Sequence, residues 1–209
     1  KILFFYKIKM TKIVIATSNE KKLAEIKVLL SGLPIEIVPQ SQFGIESCAE
    51  PFNTFIENAL VKARFASKET NFPAIADDSG LCVDSLDGQP GVFSARFAGE
   101  NRNDEDNNNK LLDDLNNMEN RRAHYYCAIV FVRNPADPQP IVTEGIWQGE
   151  ILKVRRGHNG FGYDPIFMDY KTDQSAAELS PELKNRISHR GQALQKLKQK
   201  LKILYEKKR

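Results

Sequence analysis

The sequence has few cysteines, no long apolar run and little net charge, and each absence narrows the possible functions. Its 209 residues include only three cysteines, Cys48, Cys82 and Cys127, which lie far apart. This usage argues against a disulfide framework or a zinc site and predicts reduced thiols that serve packing. No apolar run approaches the ~20 residues of a membrane-spanning helix. We therefore expect a soluble, cytoplasmic protein without a membrane partner.

The charge balance gives no strong reason to expect a nucleic-acid partner. Lys and Arg number 30 and Asp and Glu 27, for a net charge of +3, and much of the excess lies in the last dozen residues. A field this weak does not demand a polyanionic partner. A nucleic-acid-binding module that uses the basic C-terminal helix remains an alternative, although the paired acids described below would repel a phosphate backbone.

The segment before Met10 differs from the rest of the chain. Residues 1–9 form a short basic and apolar stretch that no small-residue cleavage site follows, so they do not fit a signal peptide. We predict that the natural chain starts at Met10 and that residues 1–9 are an upstream extension, disordered or peripheral. We expect residues 10–209 to form a single domain, because no boundary between independent domains is apparent.

Residues 75–83 contain two adjacent carboxylates inside an otherwise apolar run. Asp77, Asp78 and Ser79 are flanked by apolar residues, and Gly80 predicts a tight turn that presents them together at the end of a strand. Oxygen ligands of this kind suit a hard divalent cation. The alternative is an ordinary surface turn, because Asp, Ser and Gly are common turn formers.

The N-terminal part of the chain predicts a strand, a polar loop and a helix. Residues 12–16 are rich in β-branched side chains, and apolar residues at helical spacing begin at Leu23. Such a junction directs free backbone N–H groups and the positive end of the helix dipole at an anion. The glycines of a P-loop are missing. A capped surface helix with solvated lysines is the alternative.

Two further regions carry polar side chains that could converge. Thr54 and Glu57 predict a capping box at the start of a helix on which Asn58 and Lys62, four residues apart, could point jointly into a cleft. Solvent-facing positions and a pure capping role are the alternatives. Residues 123–133 and 141–148 predict a long hairpin.

The C-terminal half contains a glycine-rich aromatic loop and a cluster of donors. In residues 158–165 two glycines bracket one aromatic ring and a second aromatic ring precedes a carboxylate, which predicts a stacking site for a base, with a tight turn around core aromatics as the alternative. Ser180 and Pro181 predict a helix start. Lys184, His189 and Arg190 lie at the junction with a last helix and look like donors for an oxygen-rich ligand.

Together these groups describe a site for a nucleotide polyphosphate. Phosphates bind lysines and helix N–H groups, a divalent cation binds carboxylates, and a base binds aromatic faces and donors. No serine–histidine pair or reactive cysteine is in view, so metal-assisted attack by water is the chemistry that fits.

Seven motifs in order resemble the Ham1/inosine triphosphate pyrophosphatase family, particularly its bacterial members. They are Ala-Thr-Ser-Asn-Glu-Lys-Lys, Phe-Ile-Glu-Asn-Ala-Leu-Val-Lys-Ala-Arg, Ala-Asp-Asp-Ser-Gly-Leu, Gly-Val-Phe-Ser-Ala-Arg, Phe-Gly-Tyr-Asp-Pro-Ile-Phe, Ala-Ala-Glu-Leu and Ser-His-Arg-Gly-Gln-Ala-Leu. The resemblance implies an α/β fold with a long, mixed, curved central sheet flanked by helices, two lobes with a substrate cleft between them, and a homodimer. It also implies hydrolysis of inosine, deoxyinosine and xanthosine triphosphates to the monophosphate and pyrophosphate, which removes deaminated purines from the nucleotide pool.

The resemblance also implies roles for single residues. Asp78 would bind Mg²⁺ and accept the proton of the attacking water, with Glu50 as a second metal ligand. The remaining substrate contacts would be Thr17, Ser18, Asn19, Glu20, Lys21 and Lys22 for the triphosphate, Lys62 and Ser79 beside it, Phe161, Gly162, Tyr163 and Asp164 for base and sugar, and Lys184, His189 and Arg190 for the purine. A pyrophosphatase for pyrimidine or modified nucleotides is the enzymatic alternative.

Overall fold

The computed structural model describes residues 10–46, 48–100 and 103–206, so the predicted extension 1–9 lies outside the described residues. The strands are β1 Thr11–Ile15, β2 Ile35–Pro39, β3 Ala74–Val83, β4 Arg122–Val132, β5 Ile141–Ile151, β6 Phe167–Asp169 and β7 Gln174–Ser175. The α-helices are α1 Glu20–Leu29, α2 Phe55–Thr70, α3 Asp104–Asp114, α4 Pro181–Ile187 and α5 His189–Glu206. None of the helices in the described ranges is long and apolar enough to cross a membrane.

The described strands form one mixed sheet in the order β2-β1-β3-β4-β5-β6-β7. Strand β1 pairs in parallel with β2 and β3, and the pairs from β3 to β7 are antiparallel. The predicted α/β class with a mixed sheet is therefore confirmed, as is the long hairpin, which β4 and β5 form.

Helices cover both faces of the sheet, because alternate residues of a strand point to opposite faces. Ile13 and Ile15 of β1 pack in one buried cluster with apolar residues of α1 and α5, including Leu23 and Leu194. Val14 packs on the other face in a cluster with the alanines of α2. Two predicted helix caps are present. At the start of α2 the Thr54 hydroxyl accepts from the N–H of Glu57 and donates to its carboxylate, and Ser180 caps α4.

A third buried cluster lies further along β3 and β4 and includes Leu81, Tyr125, Trp147 and Phe167. Strand β3 contributes Ile75 and Ala76 to the first two clusters and Leu81 to the third. The four residues between them, 77–80, belong to none of the three, so the polar stretch of β3 lies where separate apolar regions meet.

The prediction of a tight turn at Gly80 was wrong. Strand β3 runs unbroken through residues 77–80 and pairs with β4 from Ala74, opposite Val132, to Val83, opposite Ala123. Gly80 is needed for close approach, because a Cβ there would lie 2.3 Å from the carbonyl oxygen of Gly91. On its other side β3 pairs with β1 only at residues 74 and 75. The edge beyond residue 75 therefore has no strand partner within the described chain up to the single bridge from residue 82 to residue 90.

Candidate active site

Two adjoining cavities lie beside the polar stretch of β3. The first, of about 150 Å³, is lined by residues that include Phe161, Tyr163, Asp164, Lys184, His189 and Arg190, and we call it the aromatic cavity. The second, of about 520 Å³, is lined by residues that include Thr17, Ser18, Glu50, Lys62, Asp77 and Asp78, and we call it the polar cavity. Asn19, Lys22, Ser79 and Ala95 line both. The two cavities therefore meet at these four residues, which form the junction between them.

The chain from β1 to α1 has the predicted order of strand, polar loop and helix. Asn19 caps α1 through its side-chain oxygen, which accepts from the N–H of Lys22 at 3.1 Å. The ammonium group of Lys22 lies 3.0 Å from Oδ2 of Asp77. Glu20 and Lys21 line neither cavity. Lys21 instead donates to the carbonyl of Gly160 at 3.1 Å, so the loop brings four of its six predicted ligands together and leaves two outside.

Lys62 lies between two of the predicted acids. Its ammonium group is 2.7 Å from Oε1 of Glu50 and 3.4 Å from Oδ1 of Asp78. Burial acts to lower the pKa of Lys62, but the neighbouring carboxylates of Asp78, Asp77 and Glu50 raise it above its ordinary value. The lysine is therefore charged at neutral pH and holds both carboxylates at the cavity wall.

The two adjacent aspartates have opposite electrostatic environments. Burial raises the pKa of Asp78 and outweighs the opposing effects of Lys62 and Lys22. Burial acts in the same direction on Asp77, but Lys22, Arg190 and Lys62 reverse it and hold its pKa well below the usual range. A raised pKa suits a proton acceptor, whereas a lowered one keeps a structural anion charged. Asp78 is therefore the better base of the two.

Arg190 contacts three oxygen acceptors of the protein. It donates to Glu25 at 2.6 Å, to Asp77 at 3.3 Å and to Ser79 at 2.9 Å. Its guanidinium carbon also lies 5.9 Å from the ring centre of Phe161 at the aromatic cavity. The geometry thus places Arg190 beside the predicted base site with its donors engaged by the protein, and its reading of the purine stays a prediction.

The aromatic loop is held by a buried carboxylate. Asp164 accepts from the N–H of Phe161 at 2.8 Å and from the ammonium group of Lys184, which lies 4.9 Å from the ring centre of Phe161. Burial raises the pKa of Asp164, and Lys184 opposes that effect. A Cβ on Gly160 would meet Oδ2 of Asp164 at 2.0 Å, so the loop needs glycine there.

His189 stacks on Tyr125 at the back of the aromatic cavity. The ring centres are 4.6 Å apart and the planes differ by 7°. Burial lowers the pKa of His189 well below its ordinary value, and the positive charges of Arg190 and Lys184 add to the effect. Its Nδ1 atom is buried and has no hydrogen-bond partner among the described residues. The imidazole is therefore neutral at pH 7 and carries one N–H donor and one acceptor.

A model of the Ham1 family matches residues 13–200 of the chain. The chain belongs to the Ham1 family. It is 57% identical over 192 residues to a dITP/XTP pyrophosphatase of Nitrosomonas europaea, a match that covers 92% of this chain and 95% of that one. Among solved structures it is similar to a Ham1 protein from Coxiella burnetii, with TM-score 0.88, 47% identity, and 92% of this chain and 98% of that chain covered. The Staphylococcus aureus Ham1 protein gives TM-score 0.84 at 42% identity, with the same coverage of 92% and 98%.

This Ham1 chain uses site residues that sequence reasoning missed. Asp104, in the first turn of α3, was not predicted as a site residue, but it lines the aromatic cavity and accepts from the N–H of Gly162 at 2.7 Å. Glu25 and Tyr125 were missed because a surface helix and an apolar strand gave no local signal. Arg96, at the end of the Gly-Val-Phe-Ser-Ala-Arg motif, lines the polar cavity. That motif was part of the resemblance, but no role followed from its sequence.

Proposed function

We propose that this protein hydrolyses 6-oxopurine nucleoside triphosphates, namely ITP, dITP and XTP, to the nucleoside monophosphate and pyrophosphate. The observation that carries the proposal is the pair of adjoining cavities. An aromatic cavity with neutral His189 and charged Lys184 suits a purine that bears oxygen at position 6, and a polar cavity with lysines and carboxylates suits a metal-bound triphosphate. The printed names of the relatives support the same substrates.

The residues shared by the two cavities support an order for the substrate groups. With the base in the aromatic cavity, the α-phosphate lies at the junction, next to Asn19, Lys22 and Ser79. The β- and γ-phosphates then extend into the polar cavity. This order places the α-phosphorus next to the polar stretch of β3, where Asp78 is.

The carboxylates fit Mg²⁺. Oδ2 of Asp78 is buried without a hydrogen-bond partner in the described chain, and the carboxylate of Glu50 lines the same cavity. The described residues hold no group of three or more His, Cys, Asp or Glu side chains that could bind a metal by themselves. Mg²⁺ is commonly held by one or two carboxylates together with substrate phosphates, so two acids suffice. When bound, the ion neutralises phosphate charge and polarises the reacting phosphoryl group.

The side chains of the polar cavity then have defined tasks. Asp78 accepts a proton from the water whose oxygen attacks the α-phosphorus, and its raised pKa suits that role. The bond from the α-phosphorus to the bridging oxygen breaks, and pyrophosphate leaves. Lys62 orients Asp78 through its contact with Oδ1, and Lys22 lies at the α-phosphate.

Selection of the base rests on hydrogen-bond donors. A donor aimed at O6 pairs with inosine or xanthosine but opposes the 6-amino group of adenine, which leaves buried polar groups unpaired. We expect Arg190→Ala to lower kcat/KM for ITP more than for ATP, whereas Lys22→Ala raises KM for every triphosphate alike. Equal losses for both bases in Arg190→Ala would mean that Arg190 does not select the purine.

One assay tests the proposed reaction as a whole. Pyrophosphate release is measured with ITP, dITP, XTP, GTP, ATP and dUTP, each with and without Mg²⁺. We expect turnover of the first three substrates and little of the others, with dependence on the metal. Turnover confined to dUTP would favour a pyrimidine-specific enzyme, and no turnover at all would refute the proposal.

We also propose that residues 10–209 act as one two-lobed domain, that the protein is cytoplasmic and that it forms a homodimer. The family resemblance supports the dimer, and sedimentation equilibrium of the full chain measures it. A monomer at micromolar concentration would contradict this part.

A further inference from the structure

The 3₁₀ helix Gly91–Arg96 ends in a cation that the proposed mechanism does not use. Arg96 lines the polar cavity, and its Nη1 atom lies 3.9 Å from Oε2 of Glu50. That separation is too long for a hydrogen bond. Within the described ranges, the other cations of this cavity are Lys22 and Lys62, and each has a carboxylate oxygen within 3.0 Å. Arg96 therefore keeps more of its donor capacity for a ligand than they do.

The segment that carries Arg96 is fixed to the rest of the site. The hydroxyl of Ser94 accepts from the N–H of Leu81 in β3 at 2.9 Å and donates to the carbonyl of Gly91 at 2.6 Å. The carbonyl of Ser94 accepts from the hydroxyl of Tyr163 at 2.8 Å. A side chain on a segment anchored in this way loses less freedom on binding, which strengthens its contribution.

An aromatic ring supports the guanidinium itself. The central carbon of Arg96 lies 5.1 Å from the ring centre of Phe93, on the same short helix. Stacking on a ring leaves the N–H groups at the edge of the guanidinium free to donate in its plane. This geometry suits two parallel hydrogen bonds to phosphate oxygens.

The position of Arg96 along the substrate follows from the two cavities. Ala95 lies at their junction, where the α-phosphate is placed, whereas Arg96 lines the polar cavity alone. In the proposed order the β- and γ-phosphates extend from that junction into the polar cavity, which Arg96 lines. The guanidinium thus faces the part of the substrate that leaves as pyrophosphate.

We infer that Arg96 binds the β- and γ-phosphate oxygens and stabilises the pyrophosphate as it departs. The inference rests on the proposed function. As the bond between the α-phosphorus and the bridging oxygen breaks, its electron pair and negative charge pass to the pyrophosphate. A preorganised cation at that end stabilises this charge more in the transition state than in the bound substrate, and so acts on kcat as well as on KM.

Inhibition by the two reaction products, pyrophosphate and the nucleoside monophosphate, distinguishes this role of Arg96 from others. In Arg96→Ala we expect the inhibition constant of pyrophosphate to rise at least ~10-fold, because a charged bidentate contact is lost. That of inosine monophosphate should stay within about 2-fold, because it lacks the phosphates that Arg96 contacts. We expect kcat/KM for ITP to fall about 10²-fold. Arg96→Lys should recover part of both losses. The control is Arg122→Ala, an exposed arginine whose ion pair with Asp84 spans 3.5 Å and which should leave all constants unchanged.

Two results would overturn the inference. One is an equal change, or no change, in the affinities for pyrophosphate and monophosphate. The other is a shift confined to the Mg²⁺ concentration needed for half-maximal activity, which would mean that Arg96 merely orients Glu50. If the wild-type protein turns over no triphosphate, the proposed function fails. Calorimetric titration with pyrophosphate then decides separately whether Arg96 binds it.

Discussion

The guanidinium of Arg190 and the carboxylate of Asp77 form a buried ion pair, with 3.3 Å between Nη2 and Oδ2 and side chains only 4% and 1% exposed. Arg190 lies at the start of α5, Asp77 lies on β3, and Glu25 of α1 contacts the same guanidinium at 2.6 Å. One cation therefore ties two helices to the central strand of the site. Burial alone would raise the pKa of Asp77, but the cations of Lys22 and Arg190 outweigh it and keep the carboxylate charged.

Arg190→Ala should lower the free energy of unfolding by about 3 kcal/mol, because it removes a buried cation from Glu25 and from the buried Asp77, whose remaining ion pair in the described chain is with Lys22. Urea unfolding at pH 7 measures the change. The exposed pair of Arg122 with Asp84 provides the control, and Arg122→Ala should cost less than about 1 kcal/mol. Similar losses in both variants would show that the buried ion pair contributes no more to stability than the exposed one.

Asp78→Asn should lower kcat for ITP at least ~10²-fold with saturating Mg²⁺, because the amide keeps the shape of the carboxylate but cannot accept the proton. Stability at pH 7 should not fall for lack of charge, since burial already disfavours the ionised form of Asp78. Steady-state kinetics and thermal unfolding of the same preparation check both points. Near-normal kcat would assign the base to Asp77 or to a metal-bound hydroxide.

Mg²⁺ should activate the enzyme and Ca²⁺ should inhibit it. The larger ion accepts looser coordination and positions the phosphate and water poorly around Glu50 and Asp78. Initial rates with each ion, alone and mixed, give the answer, with chelator as the blank. Full activity in excess chelator would refute metal-assisted hydrolysis.

The stability of the protein should fall as the solution is acidified, because of the buried side chain of His189. Its pKa is lowered in the folded protein, so below pH ~6.5 the unfolded chain binds a proton that the folded chain does not. The free energy of unfolding therefore falls as pH falls, by at most ~1.4 kcal/mol per pH unit for this one group. Unfolding curves from pH 7.5 to 5 measure the slope.

The matched variant for this measurement is His189→Gln, which cannot titrate. The slope of its free energy of unfolding against pH should be smaller than that of the wild type by up to ~1.4 kcal/mol per pH unit, which corresponds to one proton. This difference does not depend on the absolute stability of the variant. Asp164 has a raised pKa and acts with the opposite sign, but it does so in both proteins, and the difference between them isolates His189. Identical slopes would show that the histidine titrates freely in the folded state.

Much of this site could be predicted from local sequence, because its signals are local. A cap at Thr54 and a β-branched run before Asn19 each follow from a few neighbouring residues, and the structure has both. The turn predicted at Gly80 failed for the opposite reason. Asp, Ser and Gly favour turns locally, but ten consecutive pairs between β3 and β4 override that preference.

The remaining misses concern contacts between residues far apart in the chain. Arg190 meets Asp77 across 113 positions, and Lys21 meets Gly160 across 139. No local pattern showed that Lys21 would bind the aromatic loop while its neighbour Lys22 lines the polar cavity. The same limit hid Arg96, whose position depends on the anchoring of Ser94 to β3.

The edge of β3 beyond Ile75, which has no strand partner in the part of the chain that the structure describes, also bears on aggregation. In an incompletely folded chain, in which the 3₁₀ helix Gly91–Arg96 does not yet cover Gly80 and Leu81, this edge is a template on which a second chain can add, as in aggregates. The adjacent acidic residues Asp77 and Asp78 interrupt the apolar run of β3 in the nascent chain. They act as gatekeepers against intermolecular pairing. Variants that neutralise both would therefore be expected to aggregate during refolding, even where the native structure tolerates the change.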